Sequence, residues 1–236
     1  MNHELKNFIC RCTLFFGSLA LIIILMVKLW PASEIIIFEE DGVIEDLSAG
    51  VDAFAAILGF YAIYCGILRS KQTIERIAIV TLPVLALFCF LDEISWGARL
   101  FDLQMPAMPG GGEFDGIHDV FTILERLAAT LSPSHLFIML LAIFSMMVTL
   151  AYKKKTEIWR YLRFAIDNSL GRYLSSAICL LAFATILDFG HGRIISSLEE
   201  YSEFTAGCLM ALAALNNMRM ARSIPTTEST KAQYGF

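Results

Sequence analysis

A dense block of polar side chains interrupts a long apolar stretch at residues 92–99, where the sequence is Asp-Glu-Ile-Ser-Trp-Gly-Ala-Arg. Carboxylates such as Asp92 and Glu93 bind protons or metal ions, and the Arg99 guanidinium is suited to pair bidentately with a carboxylate or an anionic substrate. On a continuous helix, Asp92, Ser95 and Arg99 would lie on one side. We expect Arg99 to neutralise one acid and the other acid to hold a proton or a cation. A purely structural ion pair is the alternative.

Two Asp-x-x-His pairs supply further candidate ligands, Asp115 with His118 and Asp188 with His191. A carboxylate and an imidazole three residues apart reach one metal from a single helix face, much as the Glu-x-x-His motifs of di-iron and di-manganese bundles do. Zinc hydrolases combine the same ligand types with an open water position. The predicted ligands of a divalent zinc, iron or manganese ion are Asp92, Glu93, His118, Asp188 and His191.

The glycine inside each pair favours a simpler interpretation. Glycine is typical of turns, where an aspartate often caps the following helix. Asp115 precedes apolar residues at amphipathic spacing over residues 117–131, which predicts an interfacial helix in the outer loop. Before it, residues 106–112 contain Pro106, Pro109 and three glycines, which predicts a flexible connection that is either a lid or a linker.

Four residues complete the candidate site. Glu45 or His135 is the predicted general base. Ser95 is expected to support the metal ligands and Arg99 to clamp an anionic group. His135 follows Ser132-Pro133-Ser134 at the start of an apolar stretch, so an interfacial residue without acid-base chemistry is the alternative.

The elements that position these residues are apolar helices. The chain has 236 residues, of which 57% are hydrophobic and 17% charged, whereas a soluble domain is about half apolar and about a quarter charged. About 20 helical residues cross a bilayer core of about 30 Å. The apolar stretches of this length are 13–30, 47–68, 77–97, 131–152, 172–190 and 204–218. We predict an all-α polytopic membrane protein with a single transmembrane domain over residues 1–236, six spans and an outer loop over residues 100–130.

Basic residues indicate the orientation. All but four of the 18 Lys and Arg residues fall in the connections 1–11, 69–76, 153–172 and 218–236, the exceptions being Lys28, Arg99, Arg126 and Arg193. The positive-inside rule therefore predicts a multi-pass protein of the inner (plasma) membrane with both termini cytoplasmic. The net charge of -5 lacks the basic footprint of nucleic-acid binding. Membrane lipid is the expected partner, together with a second membrane protein or further copies of the chain.

Depth in the bilayer distinguishes the acids of the third and fifth spans. Asp92 lies 15 residues after Ile77, about 23 Å into a core of about 30 Å, and Asp188 lies equally deep in the fifth span. Ionisable groups in hydrocarbon cost about 2.5–3.5 kcal/mol each on insertion scales, so they normally face the bundle interior. Short spans in a locally thinned bilayer are the alternative.

Asp52 lies inside the second span, on a helix face that it shares with Asp41, Glu45 and Ser48. We expect Asp52, Asp92 and Asp188 to meet in a polar cavity that opens outward.

The 92–99 block resembles that of uncharacterised bacterial multi-span membrane proteins, which carry an acid-Glu-Ile-Ser-Trp-Gly-x-Arg run in an early span. Those proteins also have an Asp-Gly-x-x-Glu start to the preceding helix, here Asp41-Gly42-Val43-Ile44-Glu45, and the matching stretch covers residues 38–101. The resemblance implies a multi-span membrane fold and no particular activity. The mixed His, Asp and Ser set is similar to the zinc site of alkaline ceramidase-like membrane hydrolases, although this chain lacks a His-x-x-x-His pair and has six predicted spans instead of seven.

These observations predict one of two functions. The first is a metal-dependent hydrolase that acts on a lipid or a lipid-linked group from the outer face. The second is a non-enzymatic role, as a cation- or proton-coupled transporter or an accessory subunit of a membrane complex. In that role, Asp52, Asp92 and Asp188 would form an ion relay or structural pairs. Metal analysis of the purified protein would discriminate between the two.

Overall fold

The computed structural model describes residues 3–29, 42–101, 103–112, 114, 116, 118–188 and 193–222. Within these ranges the chain forms α-helices and no β-strand, as the sequence predicts. The helices are α1 His3–Leu29, α2 Val43–Tyr64, α3 Thr73–Glu93, α4 Ala98–Phe101, α5 His118–Ala129, α6 Pro133–Lys153, α7 Lys155–Asp167, α8 Ser169–Asp188 and α9 Arg193–Arg222. Short 3₁₀ turns at Ile67–Ser70 and Ser95–Gly97 follow α2 and α3.

Four of these helices are long and apolar enough to cross a membrane, namely α2, α3, α6 and α8. They contain most of the second to fifth predicted spans, while α1 and α9 contain most or all of the first and sixth. Membrane crossing by α1 and α9, and an interfacial position for α5, stay predictions. Helix α6 has no buried residue in the described part of the chain, so its apolar side chains are largely exposed.

The chain divides into two compact units, one formed by residues 1–90 with 165–236 and the other by residues 91–164. The first unit contains α1, α2, most of α3, α8 and α9. The second contains the end of α3, then α4, α5, α6 and most of α7. Helix α9 lies at the centre of the first unit, because it packs along both α2 and α8.

The helices of the first unit alternate in direction. Asn168, just before α8, donates from Nδ2 to Oε1 of Glu75 in the first turn of α3 at 3.0 Å, so the starts of α3 and α8 lie together. Ser169 accepts a hydrogen bond from Asn216, near the end of α9, at 3.4 Å, so α9 runs antiparallel to α8. Gly59 of α2 faces the middle of α3, as antiparallel neighbours joined by a short turn do. Helices α2 and α9 therefore run in the same direction.

Small residues let these helices approach closely. A Cβ added to Gly59 would lie only 2.7 Å from Cβ of Pro83, so glycine is what permits the α2–α3 contact. The fully buried alanines of the first unit are Ala55, Ala62, Ala86, Ala177, Ala184, Ala206 and Ala214. Small residues at helix interfaces are typical of membrane bundles, where association depends on close packing more than on the hydrophobic effect.

Aromatic side chains hold α1 against the other helices of the first unit. The Tyr201 hydroxyl of α9 donates a hydrogen bond to the Phe16 carbonyl. The Phe8 ring meets the Tyr173 ring of α8 edge to face, with centroids 5.0 Å apart. These contacts place the start of α1 beside the start of α8.

In the second unit, the glycine-rich connection forms a closed turn. The Met108 amide donates to the Gly112 carbonyl at 2.9 Å. The Arg126 guanidinium of α5 donates from Nη1 to the carbonyls of Pro109 and Gly111, both at 2.8 Å. The three consecutive glycines have φ between 91° and 100°, a conformation that costs glycine little and other residues much. The glycines thus serve a turn held by Arg126, where the sequence alone predicts a flexible lid or linker.

Candidate functional site

The predicted metal ligands lie in different parts of the chain. Asp92 and Glu93 end α3 in the second unit, and Asp188 ends α8 in the first; all three are partly buried. His191 lies outside the described residues, as does the side chain of His118, the first residue of α5. Among the residues that the structure does describe, no group of three or more His, Cys, Asp and Glu side chains could hold a metal ion. A metal site formed by all five residues therefore stays a prediction.

The prediction that the 92–99 block continues a helix is wrong. Helix α3 ends at Glu93, and the next residues form a left-handed turn in which Ser95, Trp96 and Gly97 have φ of 46°, 52° and 93°. Gly97 adopts this conformation readily, whereas a non-glycine residue there is strained by about 1–2 kcal/mol. The helical spacing that would align Asp92, Ser95 and Arg99 therefore does not apply, and the side chain of Arg99 lies outside the described residues.

The two predicted general bases occupy helix starts. His135 is exposed in the first turn of α6, where its amide donates to the Ser132 hydroxyl at 3.4 Å and its ring Nδ1 contacts the same hydroxyl. Ser132 is therefore the N-cap of α6, and His135 supplies the amide that it caps. Glu45 lies half-buried in the first turn of α2 and has an interaction partner. For both residues, general-base chemistry stays a prediction.

The turn before α5 is capped by a residue that the sequence analysis did not select. The Asp119 carboxylate is buried and accepts a hydrogen bond from the Gly116 amide at 3.3 Å. The predicted cap, Asp115, lies outside the described residues. Asp119 is the second residue of α5, and its carboxylate reaches back to an amide before the helix, as the acid of a capping box does.

The buried carboxylate of the first unit belongs to Asp52. Its side chain faces the helix interface and Asp52 is only 2% exposed, as its position inside the second span predicts. Within the described part of the chain, neither Oδ1 of Asp52 nor the buried hydroxyl of Ser48, one turn earlier, has a hydrogen-bond partner. Unsatisfied buried polar atoms are rare and call for an explanation.

Gly207 of α9 makes room for this carboxylate. A Cβ added to Gly207 would lie 2.7 Å from Oδ1 of Asp52 and 3.3 Å from its Cγ. The contact places the carboxylate directly against the α9 backbone. Gly207 was not predicted from the sequence. The one signal that could have indicated it is its position one turn after Glu203, near the acidic start of α9.

Acidic residues precede this contact on both helices. Glu45 lies seven residues before Asp52 on α2. On α9, Glu203 and Glu200 lie four and seven residues before Gly207, on the face that meets α2. Each of the three glutamates is partly buried and has an interaction partner. The interface between α2 and α9 that contains these acids and Asp52 is the α2–α9 seam. Because α2 and α9 run in the same direction, the acids lie along this seam from Asp52 toward the ends at which both helices begin.

The fold and this seam define a class of protein. Its described residues form an all-helical structure with four helices long and apolar enough to cross a membrane, and a carboxylate is buried between two of the helices. Comparison with protein-family models, with curated proteins and with solved structures found no match. The function is therefore inferred from the chemistry of the seam.

Proposed function

We propose that the protein is a six-span membrane protein in which Asp52 binds a proton or a monovalent cation, as in a cation- or proton-coupled transporter. The observation that carries the proposal is the buried Asp52 carboxylate, with an oxygen that lacks a hydrogen-bond partner in the described part of the chain. An isolated buried charge is costly, and a bound proton or cation removes that cost.

The position of Asp52 supports this role. Asp52 lies five residues inside the predicted span 47–68, which is about 8 Å below the outer edge of a core of about 30 Å. Intramembrane carboxylates at such depth commonly mark ion pathways and proton relays. The acids of the α2–α9 seam supply a polar route to it from one end of the bundle.

The arrangement of the first unit supports the proposed topology. The starts of α3 and α8 lie beside the end of α9, and the basic residues near these ends include Lys71, Arg76, Arg172, Arg219 and Arg222. Basic residues gathered at one end of a bundle indicate its cytoplasmic side. We therefore place both termini in the cytoplasm and the start of the α2–α9 seam at the outer face of the inner membrane.

The experiment measures the Tm of the purified wild type and of the variants Asp52→Asn and Asp46→Asn. The Tm is measured as a function of pH and of NaCl or KCl concentration, and choline chloride keeps the ionic strength constant. A ligand at one hundred times its Kd stabilises the folded state by about 2.7 kcal/mol. We expect the Tm of the wild type to rise with lower pH if Asp52 binds a proton, or with Na⁺ or K⁺ if it binds a cation.

The matched control is Asp46, an exposed acid on the same helix. Asp46→Asn should keep the ligand dependence of the Tm, and Asp52→Asn should lose it. An Asp52→Asn variant that responds to pH and cations as the wild type does would refute the proposal.

A metal-dependent hydrolase is the second candidate, favoured by the left-handed turn directly after Asp92 and Glu93, because strained backbone clusters at functional sites. The metal ligands would be Asp92, Glu93, His118, Asp188 and His191. Zinc, iron or manganese should then copurify at one ion per chain, and the metal content of Asp92→Asn should be lower. Protein that contains no stoichiometric metal and keeps its fold in chelator would exclude this candidate.

A further inference from the structure

A cleft with two adjoining parts lies along the first unit between α1 and α8. Its lower part, of about 600 Å³, lies beside the starts of both helices. Its upper part, of about 500 Å³, continues between α1, α8 and α9. Phe8, Cys12 and Phe16 of α1 line both parts. Each part has the size of a typical ligand site.

The lower part of the cleft carries fixed positive charge. Arg172 is 7% exposed, and its Nη1 donates to the carbonyls of Ile166 at 3.0 Å and Asp167 at 3.4 Å. Its guanidinium also lies 5.7 Å from the centre of the Phe8 ring. Arg11 adds a second, exposed guanidinium, while Asp167 contributes the one carboxylate among the lining residues.

The remaining polar groups of the lower part are suited to an anionic headgroup. Asn168 and Ser169 also line it. The Asn168 amide already donates to Glu75, whereas the Ser169 hydroxyl accepts from Asn216 and keeps its proton for a phosphate oxygen. Two guanidinium groups against one carboxylate leave a net positive charge. Basic pockets between transmembrane helices on the cytoplasmic side bind anionic lipid headgroups.

The upper part of the cleft is suited to an acyl chain. Its walls include the apolar or weakly polar side chains of Phe16, Cys179 and Leu180. Two of its hydroxyls are already bonded within their own helices, Ser175 to the Arg172 carbonyl at 3.3 Å and Ser202 to the Leu198 carbonyl at 2.6 Å. These hydroxyls therefore make no demand on an apolar occupant.

We propose that the α1–α8 cleft binds one anionic phospholipid, with its phosphate at Arg172 and Arg11 and an acyl chain along Phe16 and Cys179. The inference depends on the proposed membrane location and not on ion binding by Asp52. A lipid at this position would join α1 to α8 at their cytoplasmic ends.

The test measures lipid binding to the detergent-purified full chain by native mass spectrometry and by the shift in Tm, with phosphatidylglycerol and phosphatidylcholine as probes. We expect phosphatidylglycerol to bind and to raise the Tm, and phosphatidylcholine to do neither. Arg11→Gln should weaken phosphatidylglycerol binding about fivefold. Arg160→Gln, which changes an exposed arginine of α7 outside the cleft, should leave it unchanged.

A second variant tests the acyl-chain part without touching charge. Cys179→Phe narrows the upper cleft and should reduce binding of phosphatidylglycerol but not of inorganic phosphate. Equal binding of the two lipids, or wild-type phosphatidylglycerol binding by both Arg11→Gln and Cys179→Phe, would overturn the proposal. Asp52→Asn should bind phosphatidylglycerol normally, so failure of the lipid site and failure of the ion site give different results.

Discussion

Gly59→Ala should lower the free energy of unfolding by about 1–3 kcal/mol, the usual cost of overpacking. The added methyl would lie 2.7 Å from Cβ, 3.1 Å from Cγ and 3.2 Å from Cδ of Pro83. A proline ring is closed onto its own backbone and has no rotamer that moves it aside. Relief therefore requires α2 and α3 to separate, which also loosens the alanine contacts beside them. Thermal or denaturant unfolding in detergent measures the effect.

Gly50→Ala is the matched control on the same helix. Gly50 is exposed, and a Cβ added there would meet nothing within 4 Å. Alanine is favoured over glycine inside a helix by about 0.5–1 kcal/mol, so this variant should be as stable as the wild type or more so. Equal destabilisation by the two variants would mean that the loss at Gly59 does not come from its contact with Pro83.

Gly207→Ala should disturb the Asp52 site specifically. The new methyl would occupy the space of Oδ1, so the carboxylate has to turn toward other buried groups. We expect a stability loss of about 1–3 kcal/mol, together with loss of the pH or cation dependence of the Tm.

A double-mutant cycle with Asp52→Ala isolates this contact. Removing the carboxylate leaves room for the methyl, so Gly207→Ala should cost little in the Asp52→Ala background. The coupling between neighbouring sites of this kind is about 0.5–3 kcal/mol. Additive effects of the two substitutions would show that Gly207 does not act by accommodating the carboxylate.

Hydropathy was sufficient to locate the long apolar helices, because such stretches leave few alternatives to a helix. It did not locate α7, which lies in the predicted connection 153–172. The predicted second span, 47–68, overlaps most of α2 at Val43–Tyr64. The four-residue spacing of Ser48 and Asp52 correctly placed them on one helix face, which is buried. Both inferences need only local periodicity.

The remaining features depend on contacts between residues far apart in sequence. The sequence around Ser95–Gly97 is compatible with a continuous helix and with a helix that ends before it. Only the three-dimensional structure distinguishes the two. The hydrogen bonds from Arg126 to Pro109 and Gly111 span 17 and 15 residues, and no periodic sequence pattern predicts them. Gly207, the neighbour of the Asp52 carboxylate, was equally hard to predict, since a glycine has no side chain whose chemistry would suggest a site.

The discontinuity of the first unit has a consequence for biosynthesis. Residues 91–164 separate its two segments, so the ribosome must complete them before α8 and α9 emerge. Until then α2 is made without the helix that supplies Gly207, and the Asp52 carboxylate has no α9 backbone beside it. Emergence of α9 is thus the step at which the nascent chain shields the Asp52 carboxylate.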